Sequence, residues 1–108
     1  MKARFLFAAC AAGAAFGVQA ADVAKGQQLA RQCVECHGKD YASPVDPAYP
    51  KLAGQYPDYL AKALRDYQTG ARKNAIMAGI AKPLTRNDIN DLSAYLGGLA
   101  GPLDNEKR

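Results

Sequence analysis

The chain of 108 residues has a single histidine, His37, and only one closely spaced pair of cysteines. That scarcity argues against a structural zinc site, which draws on about four ligands, commonly two C-x-x-C pairs or one pair with further histidines. No segment alternates apolar and polar residues as a half-buried strand would, and no β-branched run precedes the cysteine pair. A redox-active dithiol at a strand-to-helix junction therefore lacks its scaffold. Lysine and arginine form no dense block, so the electrostatic footprint of a nucleic-acid binder is missing. The longest apolar stretch, Phe5 to Val18, is short of the roughly 20 residues that span a bilayer as a helix. There is no internal repeat and no linker that would divide the chain into domains.

The amino terminus accounts for some of these features. Lys2 and Arg4, the apolar run after them, and Val18-Gln19-Ala20 have the layout of a secretory leader, with cleavage predicted between Ala20 and Ala21. Cys10 falls inside this leader; as a lipidated residue it would leave an unusually short one, so its removal with residues 1–20 is expected. Residues 21–108 then hold 12 Lys plus Arg and 10 Asp plus Glu, a difference of +2. They form one small domain whose apolar side chains alone would bury only a marginal core. Export would place it on the oxidising side of a bacterial inner membrane, in the periplasm, with no membrane span in the mature chain.

Within that domain, Cys33-Val34-Glu35-Cys36-His37 reads as C-x-x-C-H, the attachment site of a c-type haem. Cysteines three apart on one helical turn present their sulfurs on the same side, where each can add to one porphyrin vinyl group. The same turn carries His37 under the ring as an axial iron ligand. The porphyrin also supplies the core that so small a chain lacks. The second axial ligand is expected from Met77, since Met1 leaves with the leader and no other histidine competes. A gap-filling core methionine is the alternative. Lys73 and Lys82 are poorer donors, because an ammonium must first lose a proton. Thioether opposite imidazole favours ferrous iron and raises the potential. With both axial positions filled, no position stays open for oxygen, peroxide or substrate.

Three helical patterns surround these residues. The first runs from about Val23 to Cys33, capped by Asp22, with Val23, Leu29 and Ala30 toward one face and Gly26 as either a tolerated surface glycine or a close helix crossing. A loop punctuated by Pro44, Pro47 and Pro50 follows, long enough to wrap one haem edge. Tyr56-Pro57-Asp58 opens a second helix that Gly70 stops, with Leu60, Ala63, Leu64 and Tyr67 inward. Thr85-Arg86-Asn87-Asp88 resembles a capping box and starts a third helix ending at Gly97-Gly98, with the stripe Ile89, Leu92, Tyr95 and Leu96. Met77 is expected in a loop between the second and third. The tail from Gly101 to Arg108 is polar and expected to fray.

Gly26, the C-x-x-C-H-G run, Pro50-Lys51-Leu52-Ala53-Gly54-Gln55, Gly70-Ala71-Arg72-Lys73-Asn74, Met77 and the closing helix resemble a small monohaem class I cytochrome c, similar to one half of the dihaem periplasmic cytochromes. The likeness covers nearly all of residues 22–99. It implies an all-α fold, three to four helices wrapped around one covalently bound haem c, in which the first and last helices cross with Gly26 facing Tyr95. It also implies that the Pro50 carbonyl accepts the His37 Nδ1 proton, that Leu52 packs on the ring, and that Arg72 lies near a propionate, a solvated Arg72 being the alternative. The implied role is a periplasmic one-electron carrier serving redox partners such as respiratory oxidoreductases, as a monomer in transient complexes. The alternatives are a subunit held tightly in a larger dehydrogenase or oxidase, and a haem peroxidase or ligand sensor, which would need Met77 displaced.

Overall fold

Asp22 accepts a hydrogen bond from Lys25 N at 3.0 Å and so starts helix α1, Val23–Ala30. The computed structural model describes residues 20–107, so the expected leader, Cys10 included, lies outside them except for Ala20. A 3₁₀ turn, Arg31–Cys33, follows α1 and runs into the short helix α2, Val34–His37. The first helical segment thus continues four residues past its expected end. The tightened turn carries the chain into the cysteine pair without a break, Ala30 and Cys33 both keeping right-handed helical torsions. Helix α3 is Pro57–Thr69, with Pro57 at its start and Gly70 at its carboxyl cap. Helix α4 is Ala75–Ala81 and α5 is Arg86–Gly97, and a 3₁₀ turn, Pro102–Lys107, closes the described chain. Among the described residues there is no strand.

The capping box forms as its residue types predict. Asp88 N donates to Thr85 Oγ1 and Thr85 N donates to Asp88 Oδ2, both at 3.0 Å, so each side chain satisfies a backbone donor that the helix cannot. Leu60, Leu64, Ile89, Leu92 and Leu96 are buried as expected, with Ala30, Ala53, Ala61, Ala81, Leu84 and Tyr41 completing the core.

Four expectations need correction. Val23 is exposed, because α1 meets its partner through Gly26 and Ala30, one turn further on. Ala63 and Tyr67 are only half-buried, the inner face of α3 having turned toward Ala61. Met77 lies on a helix, α4, rather than in a loop: Asn74 Oδ1 accepts from Met77 N at 3.0 Å and gives those residues an amino-terminal cap. The tail is structured at least through Asp104, where Leu103 and Asp104 are half-buried and Asp104 N donates to Gly101 O at 3.1 Å.

Helix α1 crosses α5 in direct backbone contact. A Cβ on Gly26 would overlap the Asp91 carbonyl and stand 2.8 Å from Tyr95 Cβ, which settles the question the sequence left open about this glycine. Asp22 N donates to Asp91 Oδ1 at 2.8 Å and locks the register of the pair. The crossing delivers residues 31–37 to one end of the domain.

Candidate functional site

Cys33, Cys36 and His37 sit on two successive turns, the first 3₁₀ and the second α-helical. Both thiols are unpaired and half-buried. Burial, with the neighbouring Cys36, pushes the Cys33 thiol up to about 11, opposite to the lowered values of nucleophilic redox cysteines. A Cys33 thiol raised in this way does not suit nucleophilic thiol exchange. Among the described residues no three His, Cys, Asp or Glu side chains converge.

His37 is buried, and its orientation is fixed from one side. Its Nδ1 donates to the Pro50 carbonyl at 2.8 Å; a carbonyl only accepts, so the proton is on Nδ1, and Nε2 carries the lone pair a metal needs. The ring lies 6.2 Å from that of Tyr49. Pro50 reaches this position because the loop before it is anchored twice. Val45 N donates to Cys36 O at 3.0 Å, and the Tyr41 carbonyl accepts from Leu52 N at 2.8 Å and Ala53 N at 3.0 Å.

Tyr41 is a residue that sequence reasoning passed over. It is buried, its hydroxyl donates to Ala30 O at 3.2 Å, and its ring meets Tyr95 edge-on at 6.1 Å. Burial, together with Tyr95 and Cys33, raises its phenol above the ordinary value. Its φ of 58° is the left-handed conformation, which costs a residue with a side chain roughly 1–2 kcal/mol. The bonds to Ala30, Leu52 and Ala53 hold it there. A tyrosine in an irregular loop carries no sequence signal for such a role.

Leu52 and Met77 are half-buried and pack against the core, as do Leu29, Val34, Ala42 and Tyr67. Lys73 and Lys82 are exposed. Arg72 is engaged by phenols: its guanidinium lies 5.2 Å over the Tyr67 ring, and Nη1 donates to Tyr59 Oη at 3.4 Å. The hydrogen bond to Tyr59 holds its pKa above the ordinary arginine value. The residues present fit a covalently attached, axially ligated porphyrin: two unpaired thiols, an oriented imidazole in the tautomer that leaves Nε2 to a metal, and half-buried apolar side chains at the core's edge.

The family model for cytochrome c matches residues 23–100. The chain is 38% identical over 96 residues to the thiosulfate dehydrogenase electron acceptor of Thiomonas intermedia (strain K12), covering 89% of this chain and 44% of that protein. It is 40% identical over 89 residues to cytochrome c4 of Pseudomonas aeruginosa, covering 77% of this chain and 44% of the other. Among solved structures, reduced recombinant cytochrome c4 from Pseudomonas stutzeri superposes with a TM-score of 0.66 at 37% identity, over 78% of this chain and 53% of that one. The chain thus spans less than half the length of these two relatives and about half of that structure.

Proposed function

The chain belongs to the cytochrome c family and its cofactor is haem c, and we propose that it is a periplasmic one-electron carrier whose iron is held axially by His37 and Met77. The observation that carries this reading is the His37–Pro50 hydrogen bond of 2.8 Å, which fixes the tautomer and aim of a buried imidazole directly beside two unpaired cysteines. When bound, the haem supplies an iron that changes oxidation state. Cys33 and Cys36 hold the ring by thioether bonds, Leu52 packs against it, and Pro50 makes His37 a better donor by accepting its Nδ1 proton. Met77 would supply the second iron ligand, a soft sulfur. With both axial positions taken the protein transfers electrons without transforming a substrate, and it is not an enzyme.

Cleavage of the leader after Ala20 would release residues 21–108 into the periplasm. Among the described residues no helix is long and apolar enough to cross a membrane. Electrons pass to and from larger oxidoreductases in small, short-lived encounters, with under about 1,200 Å² buried, because rapid turnover requires rapid release. A second reading, a cytochrome subunit held within a dehydrogenase, is favoured by the likeness, 33% identical over 76 residues, to a protein of Chlorobaculum tepidum named as the cytochrome subunit of sulfide dehydrogenase. Gel filtration of a native extract separates the two by size.

Absorption spectroscopy of the purified ferric holoprotein tests the axial pair. A low-spin spectrum with the weak long-wavelength sulfur-to-iron charge-transfer band is expected. Met77→Ala should abolish the band, admit added imidazole and lower the potential by on the order of 0.1 V, well inside the roughly 0.8 V range that axial ligands command. A high-spin ferric wild type at neutral pH, or a Met77→Ala protein with unaltered ligand binding and potential, would refute the assignment.

A further inference from the structure

Met77 rides on α4, a helix of only seven residues, too short to be stable by itself in water. Its Ile76 is exposed, and Ala81 is its one fully buried residue. The cap from Asn74 Oδ1 to Met77 N ties the start of α4 to its own chain and to nothing outside. The other end is fastened from across the fold. The side-chain amide of Gln68, half-buried on α3, donates to the Ala81 carbonyl and to the Leu84 carbonyl, each at 2.9 Å. Ala81 O lies among the carbonyls without a partner inside their own helix and also accepts from Leu84 N at 3.0 Å, while Leu84 O stands at the threshold of α5, so Gln68 binds both sides of this turn. One NH₂ group has two hydrogens, and here each reaches a different carbonyl.

We propose that Gln68 is the positioning residue that keeps Met77 on the haem iron, by fastening the far end of α4 to both α3 and α5. The inference rests on the reading of Met77 as axial ligand. Ala81 lies about one helical turn beyond Met77, so a shift of its carbonyl is transmitted along α4 to the thioether. The tether upstream is looser. Arg72 N donates to Asp66 O at 3.0 Å and its guanidinium rests on Tyr67 and Tyr59, but exposed Lys73 and Asn74 intervene before the helix begins. Gln68 spends both its donors on residues outside its own helix, so its loss releases α4 while leaving the hydrogen bonds of α3 intact.

The holoprotein carrying Gln68→Glu, which preserves the side chain's shape and removes both N–H donors, is compared with wild type and with Thr85→Ala, which weakens the cap of α5 without touching Gln68. The readouts are the rate at which the ferric protein binds added imidazole and the intensity of the sulfur-to-iron band. Gln68→Glu is expected to bind imidazole about tenfold faster, matching the loss of two part-buried hydrogen bonds, and to lose band intensity. Thr85→Ala should stay within about twofold of wild type, because the hydroxyl it removes accepts from Asp88 N and bonds neither Gln68 nor the carbonyls that Gln68 holds. If Gln68→Glu does not accumulate as holoprotein, Gln68→Leu makes the same comparison without adding charge or a second thioether. A variant at position 68 with wild-type rate and band overturns the proposal, as does equal acceleration in Thr85→Ala. Absence of the band in wild type overturns the Met77 reading and this proposal together, whereas a wild-type band that survives Gln68→Glu overturns this proposal alone.

Discussion

At the α1–α5 crossing two backbones touch with no side chain between them at Gly26, whereas at the α3–α4 junction the packing of Ala81, Leu84 and Met77 is joined by side-chain hydrogen bonds from α3 residues to Arg72, Ala81 and Leu84. The first region presents Cys33, Cys36 and His37, and the second presents Met77. Backbone contact between helices has no low-cost way to slip, because interiors are close-packed and any separation opens a void. Polar tethers at a half-exposed junction break one at a time. The two proposed axial ligands should therefore differ in permanence, His37 leaving only on global unfolding and Met77 by local opening at lower free energy.

The largest expected effect comes from closing the gap at the crossing. Gly26→Val adds a branched side chain where even a Cβ would overlap the Asp91 carbonyl, and should cost about 3 kcal/mol or more. Thermal unfolding followed by circular dichroism should show a drop of many degrees, with haem environment and helix content lost together. A variant that loses only the sulfur-to-iron band, with its melting temperature kept, would reverse the assignment of permanence.

Gly70 tests the other region by different physics. Its φ is 86°, and nothing lies within 4 Å of where a Cβ would stand. Gly70→Ala meets no clash and is opposed only by the left-handed backbone, at about 1–2 kcal/mol. If the junction is the looser region, this smaller penalty should still raise the rate of imidazole binding, measured by stopped flow, more than it lowers the unfolding midpoint. Equal movement of the two would show that α4 opens only with the whole domain.

The same division marks what could be read in advance. The haem motif, the caps at Asp22 and Thr85, and the ends of α3 at Pro57 and Gly70 all depend on residues within four positions of one another, and sequence spacing reports such features directly. Helix α4 was hidden because Ala75-Ile76-Met77-Ala78-Gly79-Ile80-Ala81 contains no polar residue, so it has no contrast from which a period could be read. Gln68 was hidden for a different reason, since its partners are main-chain carbonyls 13 and 16 positions away that no residue type announces. Tyr41 holds a conformation that its side chain disfavours, and only the tertiary bonds from its hydroxyl and carbonyl explain it. The engagement of Arg72 by two tyrosines of α3 likewise depends on how α3 and the following turn are folded together.

The smallest effect separates the two halves of the capping box and shows whether α5 can be weakened without disturbing the iron. Thr85→Ala removes the acceptor for Asp88 N and should cost about 1 kcal/mol, with only a small dependence on pH, because the Thr85 side chain is a lesser contributor to the lowered pKa of Asp88 than the Thr85 backbone N–H, which the substitution keeps. Asp88 is different: its carboxylate accepts from Thr85 N and faces Lys25 Nζ at 3.6 Å, and the backbone hydrogen bond is the main reason its pKa lies below the ordinary carboxylate value. A lowered folded-state pKa means that the unfolded chain takes up its proton first as pH falls. The stabilisation is thus complete above the ordinary carboxylate range and disappears as pH drops through the lowered value. Urea unfolding of wild type, Thr85→Ala and Asp88→Asn at pH 7 and at about pH 3 should show the Thr85→Ala deficit changing less between the two conditions than the Asp88→Asn deficit, which shrinks toward zero in acid. An Asp88→Asn deficit that persists in acid would mean that the side chain holds α5 by its shape and neutral hydrogen bonding rather than by its charge.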